Sequence, residues 1–192
     1  MIDILKIKKD LIEARLDTLV AEKNVPYNTL FKAARYSLLA GGKRLRPLLA
    51  LTTAEIFGAS TESALNAACA LEMVHTYSLI HDDLPSMDDD DLRRGKPTLH
   101  KVYPESHAVL AGDFLLTYAF EVIASDPLLS PTQKTALISI LARNAGAQGM
   151  IGGQLLDIES TGTPITVNEL KTIHQLKTGA LLSAAVEFGG VI

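Results

Sequence analysis

The chain has 192 residues, of which 47% are apolar and 21% are charged, and its formal net charge is −4. This length suits one domain with a sizeable core, and the composition is too apolar for a disordered chain. The slightly acidic balance argues against a broad basic face for nucleic acid, and the single cysteine, Cys69, excludes an internal disulfide and fits a reducing compartment.

The first ten residues mix charged and apolar side chains, which is unlike a signal peptide. No uninterrupted apolar run is long enough to span a membrane, because the longest candidates carry Asp113, Glu121 or Glu187. We therefore expect a soluble, cytoplasmic protein without a nucleic-acid partner and without stable membrane insertion.

Helical spacing of apolar residues begins near the N-terminus, at Leu5, Ile12, Leu16 and Leu19. A second helix is expected over 28–40, and Pro47 suits the first turn of a third helix that runs to about residue 57. Thr61 and Ser63 are candidate caps of a long fourth helix, which Pro85 ends after residue 83. These patterns predict a helical first half.

The second half begins with a long polar segment, 84–104, and long loops of this kind are usually functional or disordered. Three further helices are expected over 105–125, 130–158 and 166–190. No segment of useful length alternates apolar and polar residues as a strand does. The sequence therefore predicts an all-α bundle with closely packed helices.

Half of the twelve aspartates lie within ten positions: Asp82, Asp83, Asp88, Asp89, Asp90 and Asp91. Carboxylates this dense repel one another unless a cation lies among them, and Mg²⁺ binds carboxylates together with substrate phosphates. Arg93 and Arg94 follow directly, and guanidinium groups bind phosphate oxygens in pairs. The cluster indicates a phosphorylated substrate held through a metal, with a solvated acidic loop as the alternative.

Helix geometry relates Asp82, Asp88 and His75. Six residues correspond to about 240° around a continuous helix, so Asp82 and Asp88 share a metal only if Pro85 lets the chain curl back. His75 lies seven residues before Asp82, on the same helix face. The alternative for His75 is an ordinary half-buried histidine.

Three other segments carry polar residues of interest. The segment GGKRLRP (41–47) places three cations before a helix N-terminus, which favours an anion, although an exposed basic turn is as plausible. Lys177 lies in an apolar helix and needs an anionic partner unless it is a surface residue. The glycines of 146–157 predict a close helix crossing. In the alternative interpretation, Gln154 and Asp157 project into a cavity.

In this order, GGKRLRP, LIHDDLPSMDDDDLRRGKPT, GGQLLD and KTGALL resemble the motifs of trans-isoprenyl diphosphate synthases of the bacterial farnesyl type. The resemblance implies a single domain over 1–192, a helical bundle around a central cavity that is incomplete at the C-terminus, and a homodimer. It also implies condensation of an allylic diphosphate (dimethylallyl or geranyl) with isopentenyl diphosphate, and two or three Mg²⁺ ions in the full-length enzyme.

The resemblance assigns roles to individual residues. Asp82 and Asp88 match metal ligands, and Asp83 matches a direct or indirect contributor. Arg93 matches a contact of the allylic diphosphate. Four residues match contacts of isopentenyl diphosphate: Lys43, Arg46, His75 and Arg94.

The remaining assignments concern the allylic chain. Lys177 matches the lysine that holds the allylic diphosphate and steadies the cation, Thr178 adds its carbonyl, and Gln154 lines the cavity. Tyr77, with Ser78 beside it, matches a wall that stops growth at fifteen carbons. This favours farnesyl diphosphate as the product over geranylgeranyl or another short-chain diphosphate.

Two parts of the family pattern have no counterpart, the second aspartate-rich motif and the final third of the family chain. The last aspartate of any kind is Asp157. We therefore expect the N-terminal two-thirds of the family domain, with little synthase activity in the 192-residue chain alone. An inactive or regulatory synthase subunit is an alternative. A class I terpene cyclase is another, but it has no use for GGKRLRP and the paired arginines.

Overall fold

The computed structural model describes the backbone of residues 2–192 and the side chains of residues 4–192. Within them the helices are α1 (Ile2–Leu19), α2 (Asn28–Leu38), α3 (Leu45–Ile56), α4 (Thr61–Asp82), α5 (Leu99–Val102), α6 (Glu105–Ala124), α7 (Pro131–Ala145), α8 (Met150–Ser160), α9 (Val167–His174) and α10 (Ala180–Val191). A π-helical turn (Gln175–Gly179) joins α9 to α10, and two short strands, β1 (Leu92–Arg93) and β2 (Lys96–Pro97), form an antiparallel hairpin. The predicted all-α class is confirmed.

The helix α4 forms the centre of the bundle and packs against α3 and α6. Its first half is rich in fully buried alanines, which let neighbouring helices approach closely: Ala64, Ala67, Ala68 and Ala70. The N-cap is Ser60 rather than the predicted Thr61 or Ser63, because the Ser60 hydroxyl accepts a hydrogen bond from the Ser63 amide at 3.1 Å. The helix ends at Asp82, close to the predicted position.

Three segments differ from the predicted pattern. The expected helix over 130–158 is two helices, because the backbone leaves the helical conformation at Gly146. The expected helix over 166–190 contains the π turn. The predicted loop over 84–104 contains the β1–β2 hairpin and α5. Periodicity located these segments but carried no information on where the backbone departs from an α-helix.

The helix α6 is long and apolar enough to cross a membrane, which differs from the expectation that no segment has this property. It is also a core helix, because Ala111, Leu115 and Ala119 are fully buried and it packs against α2, α4 and α7. Buried core helices of helical bundles have the same length and apolar composition, so α6 is not evidence of a membrane protein.

Candidate functional site

A cavity of about 510 Å³ lies among α4, α6, α8 and the π turn, and we call it the central cavity. Eight of the predicted site residues line it: Arg46, His75, Tyr77, Ser78, Asp82, Gln154, Lys177 and Thr178. Much of its remaining wall is apolar, with Leu116 from α6 and Met150, Ile151 and Leu155 from α8. Polar groups are therefore brought to an apolar chamber, which suits a ligand with a charged head and a hydrocarbon chain.

A second opening, of about 620 Å³, lies beside the loop before α3, and we call it the basic cleft. The four residues matched to isopentenyl diphosphate line it: Lys43, Arg46, His75 and Arg94. Arg46 and His75 also line the central cavity, so the two spaces share part of their walls.

The loop before α3 takes its shape from residues with positive φ. Gly42 has φ +134°, and a Cβ there would lie 2.6 Å from the Arg94 guanidinium, so Arg94 packs directly on the loop. Arg94 also donates a hydrogen bond to the carbonyl of Gly41. The two glycines therefore bring Arg94, from the distant hairpin, to the basic cleft.

The break at Pro85 lets the chain curl back so that the backbones of Asp82 and Asp88 meet, although only Asp82 lines the central cavity. The helix ends at Asp82, and the Asp88 amide donates a hydrogen bond of 2.9 Å to the Asp82 carbonyl. Gln154 donates a side-chain hydrogen bond to the Asp82 carboxylate. Burial raises the pKa of Asp82, and the charge of Lys177 opposes this change.

Asp83 points away from the central cavity. Its carboxylate is buried and accepts a hydrogen bond of 2.6 Å from the Nε of Arg93, while Arg93 also lies 3.4 Å from Asp90. Burial raises the pKa of Asp83, and the Arg93 hydrogen bond opposes this. The structure thus places Asp83 and Arg93 against each other beside α2, and neither lines the central cavity.

Lys177 lies in the π turn, and its Nζ donates to the Asp157 carboxylate at 2.6 Å. The anionic partner that the sequence required is therefore Asp157. The predicted close crossing is also present, because a Cβ on Gly153 would lie 2.7 Å from the backbone carbon of Leu176 and would overlap the Lys177 nitrogen. Gln154 lines the cavity, whereas Asp157 pairs with Lys177.

Burial changes the ionisation of two cavity residues. Burial and the neighbouring arginines lower the pKa of His75 to about 3, so its imidazole is neutral at physiological pH. Burial raises the pKa of Tyr77, whose hydroxyl is buried without a hydrogen-bond partner among the described residues. Ser78 donates its hydroxyl to the His75 carbonyl at 2.8 Å.

Two polar residues of the central cavity were not predicted, His81 and Asp113. The His81 Nε2 lies 3.0 Å from the Val109 carbonyl and 3.8 Å from the Asp113 carboxylate. The available signals were the position of His81 directly before Asp82, and Asp113 as an isolated acid in the apolar middle of α6.

Within the described residues no three histidine, cysteine or acidic side chains converge into a closed metal site. The adjoining Asp82 and Asp88 offer two carboxylates, and within the same part of the chain neither forms an ion pair with a cation closer than 4 Å. Mg²⁺ is commonly bound by one or two carboxylates together with substrate phosphates. The donor set therefore fits Mg²⁺ held jointly with a diphosphate.

The chain is similar in sequence to a family of known enzymes. A model of the polyprenyl synthetase family matches residues 27–192. A farnesyl diphosphate synthase of Geobacillus stearothermophilus is 50% identical over 187 residues, covering 96% of the chain and 63% of that relative. A chloroplastic geranylgeranyl pyrophosphate synthase of Capsicum annuum is 50% identical over 167 residues, covering 86% of the chain and 45% of that relative.

Solved structures show the same fold. An apo FPP/GFPP synthase of Zymomonas mobilis has a TM-score of 0.94 and 39% identity, and the match covers 100% of this chain and 71% of that one. A geranyltransferase of Legionella pneumophila has the same TM-score and 38% identity, covering 98% and 67%. The chain spans slightly less than two-thirds of the Geobacillus relative's length.

Proposed function

The chain belongs to the polyprenyl synthetase family, as its motifs predicted, and from this we propose that the protein condenses an allylic diphosphate with isopentenyl diphosphate. The observation that carries this proposal is the shared wall of Arg46 and His75. It joins a basic cleft to an apolar cavity that also contains Asp82 and Lys177. Two diphosphate groups and two hydrocarbon chains need such a pair of connected spaces.

The allylic diphosphate binds at Asp82 and Asp88. When bound there, Mg²⁺ supplies positive charge to the oxygens of the leaving diphosphate. Lys177 on the cavity wall adds positive charge to the same group, and so does Arg93, whose charge reaches Asp82 from outside the cavity. Both charges favour breaking the C–O bond. Thr178, on the cavity wall, adds its carbonyl to stabilise the carbon that becomes positive, and the apolar wall excludes water from that carbon.

Isopentenyl diphosphate binds in the basic cleft. Lys43, Arg46 and Arg94 hold its diphosphate by charge, and the neutral ring of His75 donates one hydrogen bond. Its double bond attacks the allylic carbon, a C–C bond forms, and the released diphosphate takes the proton that is lost. Asp83 acts through Arg93, with which it forms the ion pair described above.

We also propose farnesyl diphosphate as the product, with geranylgeranyl diphosphate as the alternative. Tyr77 on the cavity wall and Ser78 beside it support a limit on chain length. Relatives at 50% identity carry both product names, so identity alone does not distinguish them. The family also supports a cytoplasmic homodimer with two or three Mg²⁺ ions.

The test uses the protein at its natural length with geranyl diphosphate, isopentenyl diphosphate and Mg²⁺. Asp82→Asn and Asp88→Asn should each lower the rate about 100-fold or more, because each removes a charged ligand of the leaving group's metal. The matched control is Asp91→Asn, since Asp91 lies in the same acidic run but pairs with Lys101 at the surface.

Product chromatography measures the outcome. A C15 diphosphate from the unaltered protein, lost in the first two variants and kept in the control, supports the proposed function. Equal rates in all three variants, or no condensation product from the unaltered protein, contradict it.

A further inference from the structure

Arg44 lies in the middle of the basic segment, yet its side chain is fully buried. Its Nε and Nη2 donate to the two carboxylate oxygens of Glu13 at 2.8 and 3.0 Å. Its Nη1 donates to Glu72 at 2.7 Å, and Nη2 also donates to the Leu38 carbonyl at 2.6 Å. Each guanidinium nitrogen therefore has an acceptor, and the buried positive charge is paired with two carboxylates.

These hydrogen bonds join four parts of the fold at one side chain. Glu13 belongs to α1, Leu38 to the end of α2, and Glu72 to the middle of α4. Arg44 itself is the N-cap of α3 and has φ +51° and ψ +36°. This left-handed conformation is unfavourable for a residue with a Cβ and persists where surrounding contacts determine it. The side-chain contacts of Arg44 thus hold the turn that precedes α3.

The same turn shapes the basic cleft. Lys43 precedes Arg44 directly, and Arg46 follows in the first turn of α3. Glu72 lines the cleft and lies three residues before His75 on α4. The direction of Arg44 into the core therefore determines the direction of the two cations on either side of it.

We propose that Arg44, with Glu13 and Glu72, is a positioning residue that holds Lys43 and Arg46 in the geometry that binds a diphosphate in the basic cleft. This rests on the proposed function, which names isopentenyl diphosphate as the ligand. It also gives α1 a part in the site, although α1 lies before the residues that match the family model.

The experiment measures isopentenyl diphosphate binding by calorimetry on the protein at its natural length. Glu13→Gln keeps an acceptor near Arg44 but removes the paired charge, and it should weaken binding about tenfold, since small displacements of binding groups have effects of this order. Binding of geranyl diphosphate with Mg²⁺ should stay within about twofold. Arg44→Lys is the second variant, because lysine keeps the charge but lacks the planar fork.

The matched control is Lys8→Met. Lys8 is also buried, and it also joins α1 to α3, through a 2.6 Å ion pair with Glu55, but it has no contact with the loop. Its variant should lower the melting temperature as Glu13→Gln does and leave isopentenyl diphosphate binding unchanged.

Lys43→Met and Arg46→Met distinguish failure of the positioning role of Arg44 from failure of the basic cleft as the isopentenyl diphosphate site. If they abolish binding while Glu13→Gln and Arg44→Lys leave it unchanged, or weaken it no more than Lys8→Met does, the role of Arg44 is wrong and the proposed function stands. If neither Lys43→Met nor Arg46→Met weakens binding, the basic cleft is not the isopentenyl diphosphate site and the proposed function itself fails.

Discussion

His75 is a neutral histidine surrounded by arginines. Burial is the main cause of its low pKa, and the charges of Arg46, Arg94, Arg44 and Arg93 add to it. A protonated imidazole at this position would be unfavourable in the free protein. A neutral ring has one N–H donor and one acceptor nitrogen. It therefore binds a diphosphate through one directed hydrogen bond and adds no positive charge.

The depressed pKa makes stability depend on pH. Below the ordinary histidine pKa of about 6.5, the unfolded chain binds a proton that the folded protein does not bind until about pH 3. This histidine therefore lowers the free energy of unfolding as pH falls from about 6.5 towards 3, by at most about 1.4 kcal/mol per pH unit. Urea unfolding at several pH values should show a shallower decline in His75→Gln. Parallel pH profiles for the two proteins would contradict the neutral state.

Tyr77 occupies part of the central cavity with its ring, which packs edge-on to His81 with 5.7 Å between ring centroids. Removing the ring lengthens the space available to a growing chain. Tyr77→Ala should therefore shift the products from C15 towards C20 and longer, as chromatography of the dephosphorylated products would detect. Tyr103→Ala is the control, since Tyr103 packs on Tyr36 away from this cavity. Unchanged products in Tyr77→Ala would exclude Tyr77 as the wall.

The sequence identified which side chains carry charge near the site but not the direction in which each points. The three cations of GGKRLRP form one basic cluster by sequence, whereas Arg44 alone turns into the core. Its partners, Glu13 and Glu72, lie 31 and 28 residues away, so no local pattern reveals the pairing. Asp82 lines the central cavity, whereas Asp83 points away from it and pairs with Arg93. No local pattern reveals this pairing either, since Arg93 is ten residues away.

Among the secondary-structure elements, α8 and the π turn form the contact on which the allylic side of the site depends. They cross at Gly153, and the next helical turn of α8 places Asp157 on Lys177. Gln154, on the same part of α8, reaches Asp82. One helix therefore positions the two groups that the proposed function assigns to the allylic diphosphate.

Gly153→Ala should disturb both groups together. A Cβ has no room against the backbone of Leu176 and Lys177, so α8 and the π turn must separate. We expect weaker binding of geranyl diphosphate with Mg²⁺ and a rate lowered by about 100-fold, because displacements near 1 Å have effects of that size. Steady-state kinetics and calorimetry measure both quantities.

The matched control for this variant is Gly190→Ala, another helical glycine. A Cβ at Gly190 meets only Phe57, at an ordinary distance of 3.9 Å. Its activity should be unchanged. If Gly153→Ala is as active as Gly190→Ala, the crossing does not position the site.

Helical periodicity predicted the existence of most elements and the end of α4. It did not predict the break between α7 and α8 or the π turn, because both keep the apolar spacing of a helix while the backbone hydrogen bonds change. The β1–β2 hairpin was also missed, since two residues per strand are too few to show an alternating pattern.

For the whole molecule, the net charge of −4 conceals a strong separation of charge. Half of the aspartates lie between Asp82 and Asp91, and the cations that act on them are Arg93 of the hairpin, Lys101 of α5 and Lys177 of the π turn. The fold class followed from helical periodicity and the family from the order of the motifs, whereas the two-cavity arrangement required the packing of α4 against distant elements.

The shared wall between the two cavities couples their ligands. Arg46 and His75 face both spaces, so an anion in the basic cleft neutralises charge that a ligand in the central cavity also experiences. Equilibrium linkage makes this coupling reciprocal. If the ligand in the basic cleft changes the affinity of the central cavity for its ligand by some factor, the ligand in the central cavity changes the affinity of the basic cleft by the same factor. The stability of the complex with both ligands does not depend on which binds first.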